Sequence, residues 1–326
     1  MKRILQKIKG ALKNAKNAIL AVHIDPDGDA VGSMLGLGMM LEKKSLYVTY
    51  YSADGVPKIY KFLPGAEKIK SEIYPSSQFD LALVIDSSDL SRLGNKINLK
   101  QIASLIINID HHPDNTNFGD INYIAKTSSV AEQIYELGKY LRIKMDKKIA
   151  ECLYVAMITD TGNYRYENTS EKTFKIAAEL LRAGISTHEL TTRIYDTKSM
   201  ASIRIMAKAL SHLKISEDHK VAWASVTEEM MKEVGAKGED LIGIVDQIRA
   251  LDGVEVAILF RQDKNKVKIN FRSKTKVNVS ELAKHFGGGG HHKAAGAIIE
   301  GAIEDVEKKV ISEVLSYLEK MKYLVL

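Results

Sequence analysis

The chain has 326 residues, 45% hydrophobic and 27% charged, which is ordinary for a globular protein and leaves room for two domains. Its single cysteine, Cys152, excludes an intrachain disulfide, and no apolar run reaches the ~18 residues that would cross a bilayer. A net charge of +6 fits an anionic partner but also a merely solvated surface.

The elements are predicted in chain order from hydrophobic spacing. The first 22 residues are too polar and lysine-interrupted for a secretory leader, so a cytoplasmic location is expected. Residues 2–17 carry apolar positions at helical spacing. "AILAVH" (18–23) reads as a short buried strand. It is followed by the polar loop "IDPDGDA" and a helix over 32–44, with Gly32 and Ser33 expected to turn the chain into that helix. "LYVTYYS" (46–52), "DLALVIDSSD" (80–89) and "SLIINIDHHPDN" (104–115) read as strands, the last two ending in acid. "SSVAEQIYELGKYL" (128–141) reads as a helix capped by Ser128 and Ser129. "KIAECLYVAMITDTG" (148–162) reads as an apolar helix whose last turn carries Asp160 and whose Cys152 is core. Residues 168–185 read as a helix with Thr169 or Ser170 as cap and Gly184 as stop.

Short buried strands alternating with helices predict a parallel sheet with helices on both faces. Beyond residue 186 the chain is helical but polar to about 210, a connecting segment. A period-two pattern follows in "HKVAWASV" (219–226), "GVEVAILFRQ" (253–262) and "KVKINFRS" (266–273), with "EDLIGIVDQIRAL" (239–251) as a helix between strands. The expected organisation is an α/β domain over 1–185, a helical linker over 186–210 and a smaller α+β domain over 211–326.

In parallel sheets, ligands gather beyond the carboxyl ends of the strands. Asp86 follows "LALVI", Asp110, His111 and His112 follow or end "SLIINI", and Asp160 follows "YVAMIT". Together with His23, Asp25, Asp27 and Asp29 they converge at one sheet edge. Any one of these acids alone fits a loop residue or a helix cap. Several together repel one another unless a divalent cation intervenes. Carboxylates and imidazoles without thiolate suit Mn²⁺ or Mg²⁺, with Zn²⁺ or Co²⁺ as alternatives.

"HIDPDGDAVGS", "VIDSSD", "NIDHHPDN" and "ITDTGNYRY", in this order, resemble the four motifs of the DHH phosphoesterase superfamily. "FGGGGHHKAAG" (286–296) resembles the glycine-rich signature of its DHHA1 partner domain. The layout, with "KTSSVAEQIYEL" and "TDTGNYRY", is similar to the branch of nano-RNases that also dephosphorylate 3′-phosphoadenosine 5′-phosphate (pAp).

That resemblance implies two divalent cations, usually Mn²⁺, with Mg²⁺ or Co²⁺ as alternatives. It implies His23, Asp27, Asp29, Asp86, His111 and Asp160 as ligands, with Asp86 shared, His23 and Asp27 on one ion, and Asp29, His111 and Asp160 on the other. Asp25 falls on a position the family varies. His112 is implied to face the phosphate and Asp110 to orient a histidine. The implied chemistry is attack on phosphorus by a hydroxide shared by the two ions. In the second domain it implies substrate contacts from Arg272, Ser273, Gly288, Gly289, Gly290 and His291; a flexible glycine hinge is the alternative. Arg165 is expected either at the substrate or in a salt bridge, Lys293 as a solvated charge, and Trp223 in the core.

The expected substrates are short oligoribonucleotides, pAp, and linear or cyclic dinucleotides, with no membrane partner and with a homodimer as the implied assembly. Cyclic di-AMP hydrolysis is the alternative activity. A non-catalytic nucleotide sensor and an inorganic pyrophosphatase are further readings, the last opposed by the glycine-rich second domain.

Overall fold

The computed structural model describes residues 2–74 and 76–324. It divides into one compact unit ending at Thr197 and a second beginning at Lys198. The first unit opens with α1 (Lys2–Asn14), β1 (Asn17–Val22), α2 (Gly28–Glu42) and β2 (Tyr47–Tyr51). Then come β3 (Ile69–Lys70), β4 (Leu81–Ile85), α3 (Leu99–Ile102), β5 (Ile106–Asp110) and β6 (Ile121–Ile124). Four helices close it: α4 (Val130–Tyr140), α5 (Lys147–Asp160), α6 (Glu171–Arg182) and α7 (Thr187–Thr191).

The six strands form one parallel sheet in the order β3-β2-β1-β4-β5-β6. Such a sheet is apolar on both faces. Along β1, Ala18, Leu20 and Val22 join the core under α2, α4 and α5, while Ile19 and Ala21 face a second cluster with Leu93 and Leu99. The parallel sheet with helices on both faces is thus as expected, though α3 is the only α-helix in the second cluster among the described residues.

α2 begins at Gly28, four residues before the expected start, so Gly32 and Ser33 lie inside the helix and do not form its entry turn. Their surroundings explain the sequence. Gly28, Gly32 and Gly36 form a stripe at i, i+4 spacing along α5. A Cβ there would come within 2.2 Å of Thr159 Oγ1, 2.4 Å of the Cys152 carbonyl and 2.7 Å of Leu153 respectively. The partners run backwards along α5, so the helices are antiparallel. The start of α2 therefore meets the end of α5.

The second unit contains α8 (Met200–Ser211), β7 (Lys214–Ile215), β8 (Val221–Val226), α9 (Glu228–Val234) and α10 (Ile244–Ala250). It continues with the hairpin β9 (Val256–Asp263) and β10 (Lys266–Ser273), then α11 (Val279–His285), β11 (Gly289–His291), β12 (Ala294–Glu300) and α12 (Ile303–Leu324). Its sheet runs β11-β12-β10-β9-β8-β7, antiparallel except for β8 beside β9. The helix expected over 239–251 is broken: a 3-10 turn ends at Leu241, and Gly243 at φ +92° starts α10. The stretch 186–210 is divided between the units, with Leu190 and Ile194 in the first core and Ile205 and Ala209 in the second unit's. Among the described residues no helix is long and apolar enough to cross a membrane.

Candidate metal centre

Strand register assembles the centre. Val22 pairs with Ile85, and Ile85 with Ile109. The next residues, His23, Asp86 and Asp110, therefore stand level at the carboxyl ends of three adjacent strands. The strand order reverses between β1 and β4, the place where such sheets open a crevice. Asp86 sits there at φ +58°, a left-handed backbone that Asp tolerates better than most residues.

The helix ends complete the group. Asp27 caps α2, accepting the N–H groups of Asp29 at 2.9 Å and Ala30 at 3.0 Å. Asp29, one residue into α2, is fully buried. Asp160 is the last residue of α5. The side chains gather as His23 with Asp27 and Asp86, and as Asp29 with His111 and Asp160, with Asp86 also reaching Asp110 and His112. Asp25 is exposed at φ +53°, its N–H held by Asp54 Oδ2 at 2.9 Å, and it joins none of these groups.

Histidine orientation is set from behind. His23 Nδ1 donates to the Ile24 carbonyl at 2.7 Å, and His111 Nδ1 to the Thr127 carbonyl at 3.2 Å. Each Nε2 then faces carboxylate: His23 is 3.6 Å from Asp86, and His111 lies 3.6 Å from Asp86, 3.5 Å from Asp160 and 3.9 Å from Asp29. A backbone partner on one ring nitrogen with the other left toward acids is the arrangement of a metal-binding imidazole.

Burial sets the electrostatics. It pushes the Asp29 carboxyl well above the usual range, helped by the charges of Asp86 and Asp160. It also raises Asp160 to about 7 against the pull of His111, with Asp27 and Asp86 adding to the rise. Burial opposes ionisation of Asp86 too, but the facing His23 imidazole and the charges of His112 and His111 outweigh it and hold that carboxyl low. Burial likewise lowers His111, yet Asp160, Asp86 and Asp29 carry it to about 10. The acids and imidazoles thus share protons where a cation's charge would serve them all.

The donor set fits a divalent cation. Asp86 Oδ1 is buried without a hydrogen bond, 3.6 Å from His111 Nε2 and from His112 Nδ1. Those gaps are too long for hydrogen bonds. The gap to His111 Nε2 matches ligands that each stand ~2.1 Å from a shared ion, which lie roughly 3–4 Å apart.

The serine caps expected for α4 are corrected. Ser129 is the N-cap residue, yet its side chain makes no capping bond, and Ser128 Oγ donates to Glu132 at 2.5 Å. Asp29 takes the capping place from another helix. Its carboxylate accepts Val130 N–H at 2.7 Å, Ala131 N–H at 3.3 Å and Ser33 Oγ at 2.8 Å. Arg165 makes no salt bridge among the described residues; its Nε donates to the Gly162 carbonyl at 2.7 Å.

Sequence reasoning missed an amide network in which Asn108 and Gln133 are fully buried. Asn108, Asn115 and Gln133 bond to the strand ends and to Asp110. Asn168 bridges the Ser128 and Asp160 carbonyls. An asparagine inside the apolar run "SLIINID" was the available signal.

In the second unit, Arg272 and Ser273 end β10. Arg272 pairs with Ala294 across one edge of β12, and His291 pairs with Ala294 across the other, so Arg272 and His291 share a row of the sheet. Arg272 Nε stands 3.7 Å from Asp246, and the buried Ser273 hydroxyl has no hydrogen-bond partner among the described residues. The hairpin itself demands two glycines: a Cβ on Gly288 would lie 2.1 Å from the Gly296 carbonyl, and one on Gly290 2.6 Å from that of Ala294. Gly289 alone of the three has open space. Trp223 is only half-buried, beside Glu307.

Family models match the chain twice: the DHH family N-terminal domain over residues 17–157 and the DHHA1 domain over 218–320. The bifunctional oligoribonuclease and PAP phosphatase NrnA of Thermus thermophilus is 31% identical over 94% of this chain and 91% of its own length. The protein of that name in Bacillus subtilis is 29% identical over 86% and 88%. The crystal structure of an exopolyphosphatase-related protein from Bacteroides fragilis matches with a TM-score of 0.90 at 27% identity, covering 98% of each chain.

Proposed function

The chain belongs to the DHH phosphoesterase family, and from that premise we propose that it is a metal-dependent hydrolase that degrades short oligoribonucleotides, dinucleotides such as pApA among them, to mononucleotides and removes the 3′-phosphate of pAp. The observation that carries this reading is the placement of Asp86 between two ligand groups, with one oxygen buried and lacking a hydrogen bond. His23, Asp27 and Asp86 would hold one divalent cation, and Asp29, His111, Asp160 and Asp86 a second, Mn²⁺ being favoured with Mg²⁺ or Co²⁺ as alternatives. When bound, such ions lower the pKa of the attacking water and neutralise charge on the phosphoryl oxygens.

The protein's own groups do the rest. His112 donates from Nδ1 to Asp110 at 2.7 Å, and its Nε2 is the atom we assign to a phosphate oxygen. Buried in low dielectric, that contact strengthens as charge develops on the phosphate. Arg272 and His291, in one row, together with Ser273 and the glycines 288–290, would bind the remaining nucleotide.

The test is hydrolysis of pApA, pAp, cyclic di-AMP and a longer oligonucleotide in Mn²⁺. Mononucleotide release from pApA and phosphate release from pAp are expected to exceed turnover of the others. Intact pApA and pAp after prolonged incubation would overturn the reading.

A further inference from the structure

The loop after β5 holds an amide, Asn115, whose side-chain hydrogen bonds among the described residues go to none of the six proposed ligand side chains. Asn115 Nδ2 donates to Asp110 Oδ2 at 2.6 Å and to Asn108 Oδ1 at 2.8 Å, and lies 3.3 Å from the Ser87 carbonyl. Its orientation is unambiguous. Asn115 Oδ1 accepts the N–H of Asn117 at 2.7 Å, and a flipped amide would set that oxygen against a carboxylate. Asn108, fully buried, is fixed in turn by donating to the carbonyls of Val84 at 3.3 Å and Ser87 at 3.1 Å. The chain of bonds continues outward, since the other oxygen of Asp110 receives His112 Nδ1.

We infer that Asn115 is a positioning residue for phosphoester cleavage, and that it acts by locking the Asp110 carboxylate so that His112 presents Nε2 to the substrate. Asp110 has two carboxylate oxygens and one task. With Oδ2 occupied by Asn115, the plane of the carboxylate is fixed and Oδ1 meets the imidazole at 2.7 Å. Without that anchor the carboxylate rotates about its own bond and the ring follows it. Asn108 sets the far end, so the support reaches back to the ends of β4 and β5 rather than ending in a mobile loop.

This inference rests on the hydrolase reading, and two variants separate it from a mere loop staple. Asn115→Asp keeps the side-chain shape and the acceptor for Asn117 N–H but replaces the donor with an oxygen facing Asp110 and Asn108. Asn115→Ala removes both. Positioning predicts that kcat on pApA falls roughly 10–100-fold in both variants, with Asn115→Asp at least as impaired as Asn115→Ala. KM should stay within about twofold and Mn²⁺ affinity within about threefold of the parent, because no ligand is lost. A staple predicts Asn115→Asp near the parent; that result, or a loss that follows Mn²⁺ affinity, overturns the inference while leaving the hydrolase reading intact. The second readout is a crystal structure of Asn115→Asp. A His112 ring turned away from Asp110 supports the inference and an unmoved ring overturns it, also in the case where the parent cleaves neither pApA nor pAp and the hydrolase reading falls.

Discussion

Removing the Asp29 carboxylate should cost more stability than removing the serine that occupies the N-cap of α4. Asp29→Ala leaves two backbone N–H groups, those of Val130 and Ala131, and the Ser33 hydroxyl without their acceptor in a buried place. Each orphaned buried donor costs about 1–3 kcal/mol, so the gross loss is about 3–9 kcal/mol. Part is offset, because burying that carboxylate near Asp86 and Asp160 is itself unfavourable. The net expectation is a loss of at least about 2 kcal/mol in protein stripped of metal by chelator, so that ligand loss does not contribute. Ser129→Ala removes a hydroxyl that is buried and has no hydrogen-bond partner among the described residues. It should be neutral within about 0.5 kcal/mol, or slightly stabilising, where an ordinary N-cap serine costs about 1 kcal/mol. Chemical denaturation measures both, and hydrogen exchange at the Val130 and Ala131 amides localises the effect. If Ser129→Ala proved as costly as Asp29→Ala, or if the two amides stayed protected in Asp29→Ala, the cross-helix cap would be refuted.

Asp86→Ala should abolish Mn²⁺ binding and lower turnover at least ~10³-fold, whereas Asp25→Ala should remain within about threefold of the parent; calorimetry and pApA turnover check both. In metal-free protein, stability should fall as pH rises from about 4 to 10. Asp160, raised to about 7, binds more protons folded than unfolded above ~4, and His111, raised to about 10, does so above ~6.5, so both contributions vanish as pH climbs through the folded values. Bound divalent cation displaces those protons, so the gain in melting temperature on adding Mn²⁺ should grow between pH 5 and 8; a constant gain would contradict this. Gly288→Ala should destabilise the second unit by more than about 2 kcal/mol, because its Cβ would meet the Gly296 carbonyl. Gly289→Ala should fold normally, as circular dichroism melts will show.

The strand-end acids were legible because an apolar run ending in Asp has few meanings in a parallel sheet. Asp86, Asp110 and His111 follow from that pattern, and the apolar run of α5 carries Asp160 at its last turn. The capping of α4 was not legible. "SS" before a helix satisfies the local rule, and nothing local announces that Asp29, about a hundred residues earlier, has taken those N–H groups. The early start of α2 was missed because Gly28 and Gly32 read as turn residues, whereas here they are small so that α5 can approach. Gly243 broke the expected 239–251 helix because apolar spacing continues through a residue whose backbone does not. Asn108 and Asn115 escaped notice because an amide's purpose depends on what surrounds it in space.

The level register of His23 and Asp86 has a kinetic consequence. Their strands are neighbours in the sheet but lie some sixty residues apart in the chain, with β2 and β3 between them, so the His23–Asp86 pair forms only when a distant loop closes. Closures of that length are slow steps in folding. A refolding chain would regain its helices well before it could capture an ion, and the appearance of tight metal binding in a stopped-flow trace would mark the moment when β1 and β4 come together.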